Sequence, residues 1–306
     1  MLSDMVPGKS VLKAYIDLTR AHFFFVWPLL FCSGLMLAFE EIGGFSWQLT
    51  LKAALIGLMG FEAGLVLNDY VDRKKDRLDV EFDRLTRYWR PFGSRPIPSG
   101  QIDQKNALLL FTLLVILTTL LILTLPYPNS IYVLVLMGYS YCAEYFYQVK
   151  KRDQRYPIAQ LAGRTDLALF PVAGYLCYGS PDSTALLYFI FLYPWALAHL
   201  GVNDLADILN DKARKMNSVT VLYGLKGTAY WILGFTIFHI LIATQFMERL
   251  GTIAFYGFIL ALMLLIAANL LILKGKSPEA GQKALPLFHA SLLIYALSIT
   301  IDYFVG

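Results

Sequence analysis

Charge is scarce in this chain. Only 16% of its 306 residues are Asp, Glu, Lys or Arg, while 57% are hydrophobic and the mean hydropathy is +0.55, which excludes an ordinary soluble globule. Cysteine occurs three times, at Cys32, Cys142 and Cys177, without paired spacing, so neither a disulfide framework nor a thiolate metal site is indicated. The four histidines, His22, His199, His239 and His289, share no ligand spacing. A cleavable leader is not expected either. Asp4, Lys9, Lys13, Asp17 and Arg20 break up the start of the chain, and residues 10–20 fit a short interfacial helix.

What the chain has in abundance is apolar sequence. Windows of roughly 19 residues mark nine spans, about 21–40, 50–71, 106–125, 130–148, 158–178, 184–203, 227–247, 252–273 and 284–305. With the N-terminus in the cytoplasm, the loops 72–105, 149–157, 204–226 and 274–283 are cytoplasmic too. Together with residues 1–20 and Arg164 they hold 24 of the 26 Lys and Arg, leaving only Lys52 and Arg249 toward the other side. That asymmetry obeys the positive-inside rule, so the net charge of +4 reports topology and no nucleic-acid partner is expected. The expected fold is an all-α integral membrane bundle of nine transmembrane helices in a cell membrane.

The scarce charges are patterned. Asn-Asp-x-x-Asp-x-x-x-Asp occurs twice, as Asn68, Asp69, Asp72, Asp76 and, 135 residues later, as Asn203, Asp204, Asp207, Asp211. On a continuous helix each set falls within an arc of roughly 100° and climbs about two turns. Carboxylates at membrane depth are costly unless paired or bound to a cation, and an oxygen-only set suits Mg²⁺, above all where phosphate is held as well. The same offset divides the chain into two parallel four-helix repeats, about 10–148 and 158–273, plus a ninth helix. One domain over residues 1–306 is expected, with a central cavity open to the cytoplasm beneath loop caps at about 72–105 and 204–226. Glycines at 57, 60 and 64 permit close helix approach.

Other polar residues carry weaker signals. Glu62 lies seven positions before Asp69, about 10 Å deeper along one helix face, where it either serves an acceptor molecule or takes its proton, or else packs helices. His199, one turn before Asn203, reads as structural. Arg164 and Asp166 form a boundary pair, and Glu144 and Asp302 fit functional or packing roles equally.

The motif pair, the segment Arg95-Pro96-Ile97-Pro98-Ser99-Gly100, the nine spans and Lys150-Lys151-Arg152 together resemble the UbiA superfamily of intramembrane prenyltransferases, over nearly the whole chain. The resemblance implies transfer of a prenyl group from an allylic diphosphate, such as geranylgeranyl diphosphate, to a lipophilic quinone or ether-lipid precursor. It implies two Mg²⁺ ions, one on Asn68, Asp72 and Asp76 and one on Asp207 and Asp211, with Asp69, Asn203 and Asp204 as further or outer ligands. Lys150, Lys151, Arg152, Arg73 and Lys74 would then take up diphosphate charge. The chain departs from the family where a Gly-x-x-Thr segment commonly follows the second acidic motif; here Lys212 to Thr220 is longer and carries Asn217-Ser218. A secondary transporter with a carboxylate ion site and a non-catalytic scaffold are the competing readings.

Overall fold

The computed structural model describes residues 7–305, and among them every regular element is helical. An N-terminal helix α1 (Pro7–Leu18) precedes α2 (Val26–Ile42) and α3 (Trp47–Asp72); a loop carrying the short α4 (Leu85–Trp89) leads to α5 (Gln104–Leu123) and α6 (Asn129–Lys150). After the short α7 (Ile158–Gly163) come α8 (Thr165–Tyr175), α9 (Ser183–Ala206), the short α10 (Ile208–Ala213), α11 (Val219–Met247), α12 (Thr252–Gly275) and α13 (Pro278–Val305). Starts follow capping chemistry. Ser46 accepts from the Leu49 amide at the head of α3, and Asp182 accepts from the amides of Thr184 and Ala185 at the head of α9.

Seven of these helices are long and apolar enough to cross a membrane. Helix α6 is as long as several of them but more polar, with Glu144 and Gln148 buried on its inner side. The expected fifth span is not one helix. It breaks at Arg164, which ends α7 and precedes α8, so that its guanidinium turns inward to lie 3.7 Å from Glu144 instead of facing lipid. The expected seventh span starts earlier than periodicity suggested, at Val219, and bends at Gly224 (φ 68°).

Helices α2 and α9 run through the middle of the bundle, buried along most of their length. Around them Phe39, Tyr188, Phe191, Phe246, Phe258 and Tyr295 interlock from α2, α9, α11, α12 and α13. His239 belongs to this core, Nδ1 2.8 Å from the Phe191 carbonyl and Nε2 2.9 Å from the Tyr295 hydroxyl. Helix α2 crosses α8 at backbone contact: a Cβ at Gly34 would collide with the Pro171 carbonyl, and one at Gly174 with the Phe31 carbonyl. Gly174→Ala is therefore expected to destabilise the protein by roughly 1–3 kcal/mol through overpacking. An unchanged unfolding temperature in detergent would contradict this close crossing.

Candidate active site

Both acidic motifs lie at the same end of the bundle, and neither rides a continuous helix. Helix α3 stops at Asp72, and Asp76 opens a separate 3₁₀ turn; α9 stops at Ala206, and Asp207 (φ −98°, ψ 10°) is the joint from which α10 restarts. The breaks allow the two loops to grip each other. Asn210 Oδ1 accepts from the backbone amides of Val80 and Glu81 at 3.0 and 2.9 Å, while Asn210 Nδ2 donates to the Glu81 carbonyl and to Asp207 Oδ1.

Beneath the loops is a cavity of about 400 Å³. Asn68, Asp72, Asp76, Asn203, Asp204, Asp207 and Asp211 all line its polar end; Trp27, Phe61, Leu65, Phe170 and Leu167 line the apolar end. Asp72 accepts from Lys151 Nζ at 2.7 Å and Arg152 Nη2 at 2.9 Å. Asp76 forms an ion pair with Arg95 at 2.8 Å, Arg95 Nε lies 2.7 Å from Asp79 as a second ion pair, and Asp79 accepts a hydrogen bond from Arg214 Nε. Arg214 also lies 3.6 Å from Asp76 and 3.5 Å from Asp207, so one guanidinium joins both acidic loops.

Several candidate residues sit elsewhere. Asp69 is absent from the cavity wall and sits behind two residues that line it, clamped by Arg90 Nη2 at 2.7 Å from both its oxygens and by Arg20 Nη2 at 3.1 Å, all three residues buried. Being 100° round the helix from Asn68, it meets the α1–α2 connection instead. Glu62 shares the Asp69 face and is also absent from the cavity wall; it accepts from Trp27 Nε1 at 3.0 Å. Arg73 donates to Gln104 and to the Tyr70 carbonyl, Lys74 and Lys150 are exposed, and none of the three reaches the cavity.

Conversely, spacing gave no role to Asp79, Asn210 or Arg214, and none to Arg95 beyond its place in the Pro-rich segment. Asp79 follows Asp76 by three residues and Arg214 follows Asp211 by three, which is the signal that could have found them. His289 is a further addition: it lines the cavity with His199, the two Nε2 atoms 2.8 Å apart, and its Nδ1 is 2.6 Å from the Tyr88 hydroxyl. Asn217, in the departing segment, proves to be a clip. Its backbone carbonyl accepts from the Gln154 side-chain amide at 2.7 Å and its backbone N–H donates to the Lys151 carbonyl at 2.7 Å, fixing the end of α6 that presents Lys151.

Electrostatically the loop acids are loaded for a cation. Burial, followed by the charges of Asp207 and Asp204, holds Asp211 well above the usual carboxylate range, and burial raises Asp207 and Asp76 too. Burial disfavours the charge on Arg214, yet its hydrogen bond to Asp79 and the charges of Asp207 and Asp76 raise it above its ordinary value. Asp76 Oδ1 and Asp211 Oδ2 are buried without a hydrogen-bond partner. Among the described residues no three acids are already spaced as ligands of one ion. The donor set is nonetheless all oxygen with unsatisfied lone pairs, which fits a hard divalent cation once Lys151 and the arginines shift.

The family model described as the UbiA prenyltransferase family matches residues 25–292. The chain belongs to that family. The UbiA assignment makes it a multi-pass membrane protein and leaves the transporter and scaffold readings without support. Among UbiA relatives, a 4-hydroxybenzoate octaprenyltransferase of Aliivibrio fischeri (strain ATCC 700601 / ES114) is 27% identical over 90% of this chain and 92% of its own. Another of Tolumonas auensis is 28% identical over 85% and 82%. The apo UbiA homologue from Aeropyrum pernix K1 superposes with a TM-score of 0.74 at 19% identity, over 92% of this chain and 98% of its own. A UbiA homologue from Archaeoglobus fulgidus bound to GPP and Mg²⁺ gives 0.61 at 15%, over 94% and 99%. At these identities the structures establish a shared UbiA fold.

Because Asp69 compensates two buried guanidinium groups, Asp69→Ala is expected to cost roughly 3–5 kcal/mol of stability. Thermal unfolding should place it well below Asp72→Ala, whose partners Lys151 and Arg152 are partly exposed; equal unfolding temperatures would return Asp69 to the list of ligands.

Proposed function

We propose that this protein transfers a prenyl group from an allylic prenyl diphosphate to a lipophilic aromatic acceptor of the hydroxybenzoate type, with release of pyrophosphate and dependence on Mg²⁺. The observation that carries the reading is that both acidic motifs open on one cavity whose opposite end is apolar and aromatic. Relatives named as 4-hydroxybenzoate octaprenyltransferases support the acceptor class, and a fold neighbour bound to GPP and Mg²⁺ supports the donor and the metal.

When bound, Mg²⁺ would neutralise the diphosphate and make it a leaving group. Asn68, Asp72 and Asp76 would hold one ion and Asp207 and Asp211 a second, with Asn203 and Asp204 as outer ligands. Lys151 and Arg152, now engaged by Asp72, and Arg95 and Arg214, now engaged by Asp76 and Asp79, would turn to the diphosphate oxygens as the acids take up cations. Trp27, Phe61, Trp89, Phe170 and Trp195 wall the cavity, exclude water from the allylic carbon and offer ring faces to developing positive charge.

The finer topology belongs to the same proposal. Adding α6 and the α7–α8 pair to the seven apolar helices makes nine crossings, arranged as two four-helix units and a ninth helix in one domain. The positive-inside asymmetry supports a cytoplasmic N-terminus and cavity mouth in a cell membrane.

Purified protein is expected to release pyrophosphate from geranylgeranyl diphosphate only when Mg²⁺ and 4-hydroxybenzoate or a related acceptor are present. Asp72→Ala combined with Asp207→Ala should lower turnover by roughly 10²–10³-fold or more, the scale for losing charge-stabilising groups. Undiminished pyrophosphate release by the double variant would remove the metal assignment.

A further inference from the structure

Beyond the apolar end of the main cavity lies a second, smaller one of about 50 Å³. The two share a wall: Gly60, Ser140, Tyr141 and Phe170 line both. At roughly 10–15 Å³ per water-sized sphere, the smaller space admits a few heavy atoms, about the branched end of one isoprene unit. Its surroundings are dry. Thr118 spends its hydroxyl on the Leu114 carbonyl and turns its methyl inward, and Tyr141 donates its hydroxyl to the Gly60 carbonyl, leaving Phe31, Ile56 and Met137 as typical walls.

We infer that this annex is the terminal pocket for the hydrocarbon tail of the prenyl donor, and that it selects a tail of about four isoprene units, shorter than octaprenyl. The inference rests on the prenyl-transfer reading. Depth supplies the length. From Asp72 to Gly60 and Ile56, helix α3 descends about 18 and 24 Å at 1.5 Å per residue. An extended chain advances about 1.1–1.2 Å per bond, so the distance takes about 15–20 bonds, or four to five isoprene units.

Phe170 is the gate of the annex. Its ring stands edge-on to Phe61 at 5.0 Å, on the main-cavity side, and to Phe31 at 5.2 Å, on the annex side. Phe61 is itself stacked on Trp27 at 3.6 Å, and Trp27 is held by Glu62. Glu62 is thus a positioning residue for the aromatic end of the cavity. Gly60 keeps the neck open, since a Cβ there would sit 3.5 Å from the Thr118 methyl, an ordinary contact that occupies the passage without disturbing the helices.

The test uses binding of non-reacting prenyl thiolodiphosphates with geranyl, farnesyl, geranylgeranyl and octaprenyl tails to the full-length protein with Mg²⁺. In the wild type, affinity should climb to geranylgeranyl and gain nothing further with octaprenyl. Gly60→Ala should weaken the geranylgeranyl probe roughly tenfold, as expected when a few buried methyl groups are displaced, and leave the geranyl probe within about twofold. Phe170→Ala, which merges the two cavities, should instead favour longer tails. A Gly60→Ala and Phe170→Ala pair whose tail-length profiles match the wild type would overturn the annex while leaving prenyl transfer intact. Wild-type protein that binds none of the probes, and no inorganic pyrophosphate with Mg²⁺, would overturn both.

Discussion

Carboxylates buried at the end of an apolar bundle must be compensated, and everything at this site depends on how that is done. The compensation comes from loops. Arg214 joins Asp79, Asp76 and Asp207, and Arg95 joins Asp76 and Asp79, so that two segments far apart in sequence are tied over one cavity by shared charge. Asn210 adds neutral hydrogen bonds to the same junction. Removing one partner of such a buried pair strands the other, at a cost of several kcal/mol, which is why these loops hold their shape although they leave the helices.

In the proposed function the same arrangement is exchangeable. Side-chain cations now crowd the acids, leaving Asp76 Oδ1 and Asp211 Oδ2 without a hydrogen-bond partner. A divalent cation can replace the side-chain cations, and the released arginines and lysine carry the opposite charge from the acids, which is what a diphosphate requires. Asp69 is held apart from the cavity wall. Locked by Arg20 and Arg90, it anchors α3 to the α1–α2 connection and to the first loop. Within one motif, then, one aspartate is locked between two arginines while its neighbours Asp72 and Asp76 line the cavity.

Much of this was legible in the sequence, for reasons of period and cost. Long apolar runs can only be membrane helices, and a duplicated acidic spacing 135 residues apart brings Asp72 and Asp207 to equivalent ends of two helices. Helical periodicity misplaced what depends on helix breaks. It carried α3 through Asp76 and α9 through Asp211, whereas the chain turns at Asp72 and Asp207 so that the loops can meet. It also grouped Asp69 and Glu62 with the site, because the two arginines and the tryptophan that hold them come from the α1–α2 connection, the first loop and α2, with no local spacing to betray them. The break at Arg164 was hidden for a similar reason. Its partner Glu144 lies on another helix, and hydropathy averages such a pair away.

The central claim is that two acidic loops act as one diphosphate clamp. Calorimetric titration of inorganic pyrophosphate into the protein with Mg²⁺ tests it most directly, using Asp76→Ala on the first loop and Asp211→Ala on the second. Mg²⁺-dependent binding is expected, severely weakened by either substitution, with the double variant little worse than each single one. Full-strength binding with one loop disabled, or binding that needs no divalent cation, would contradict it.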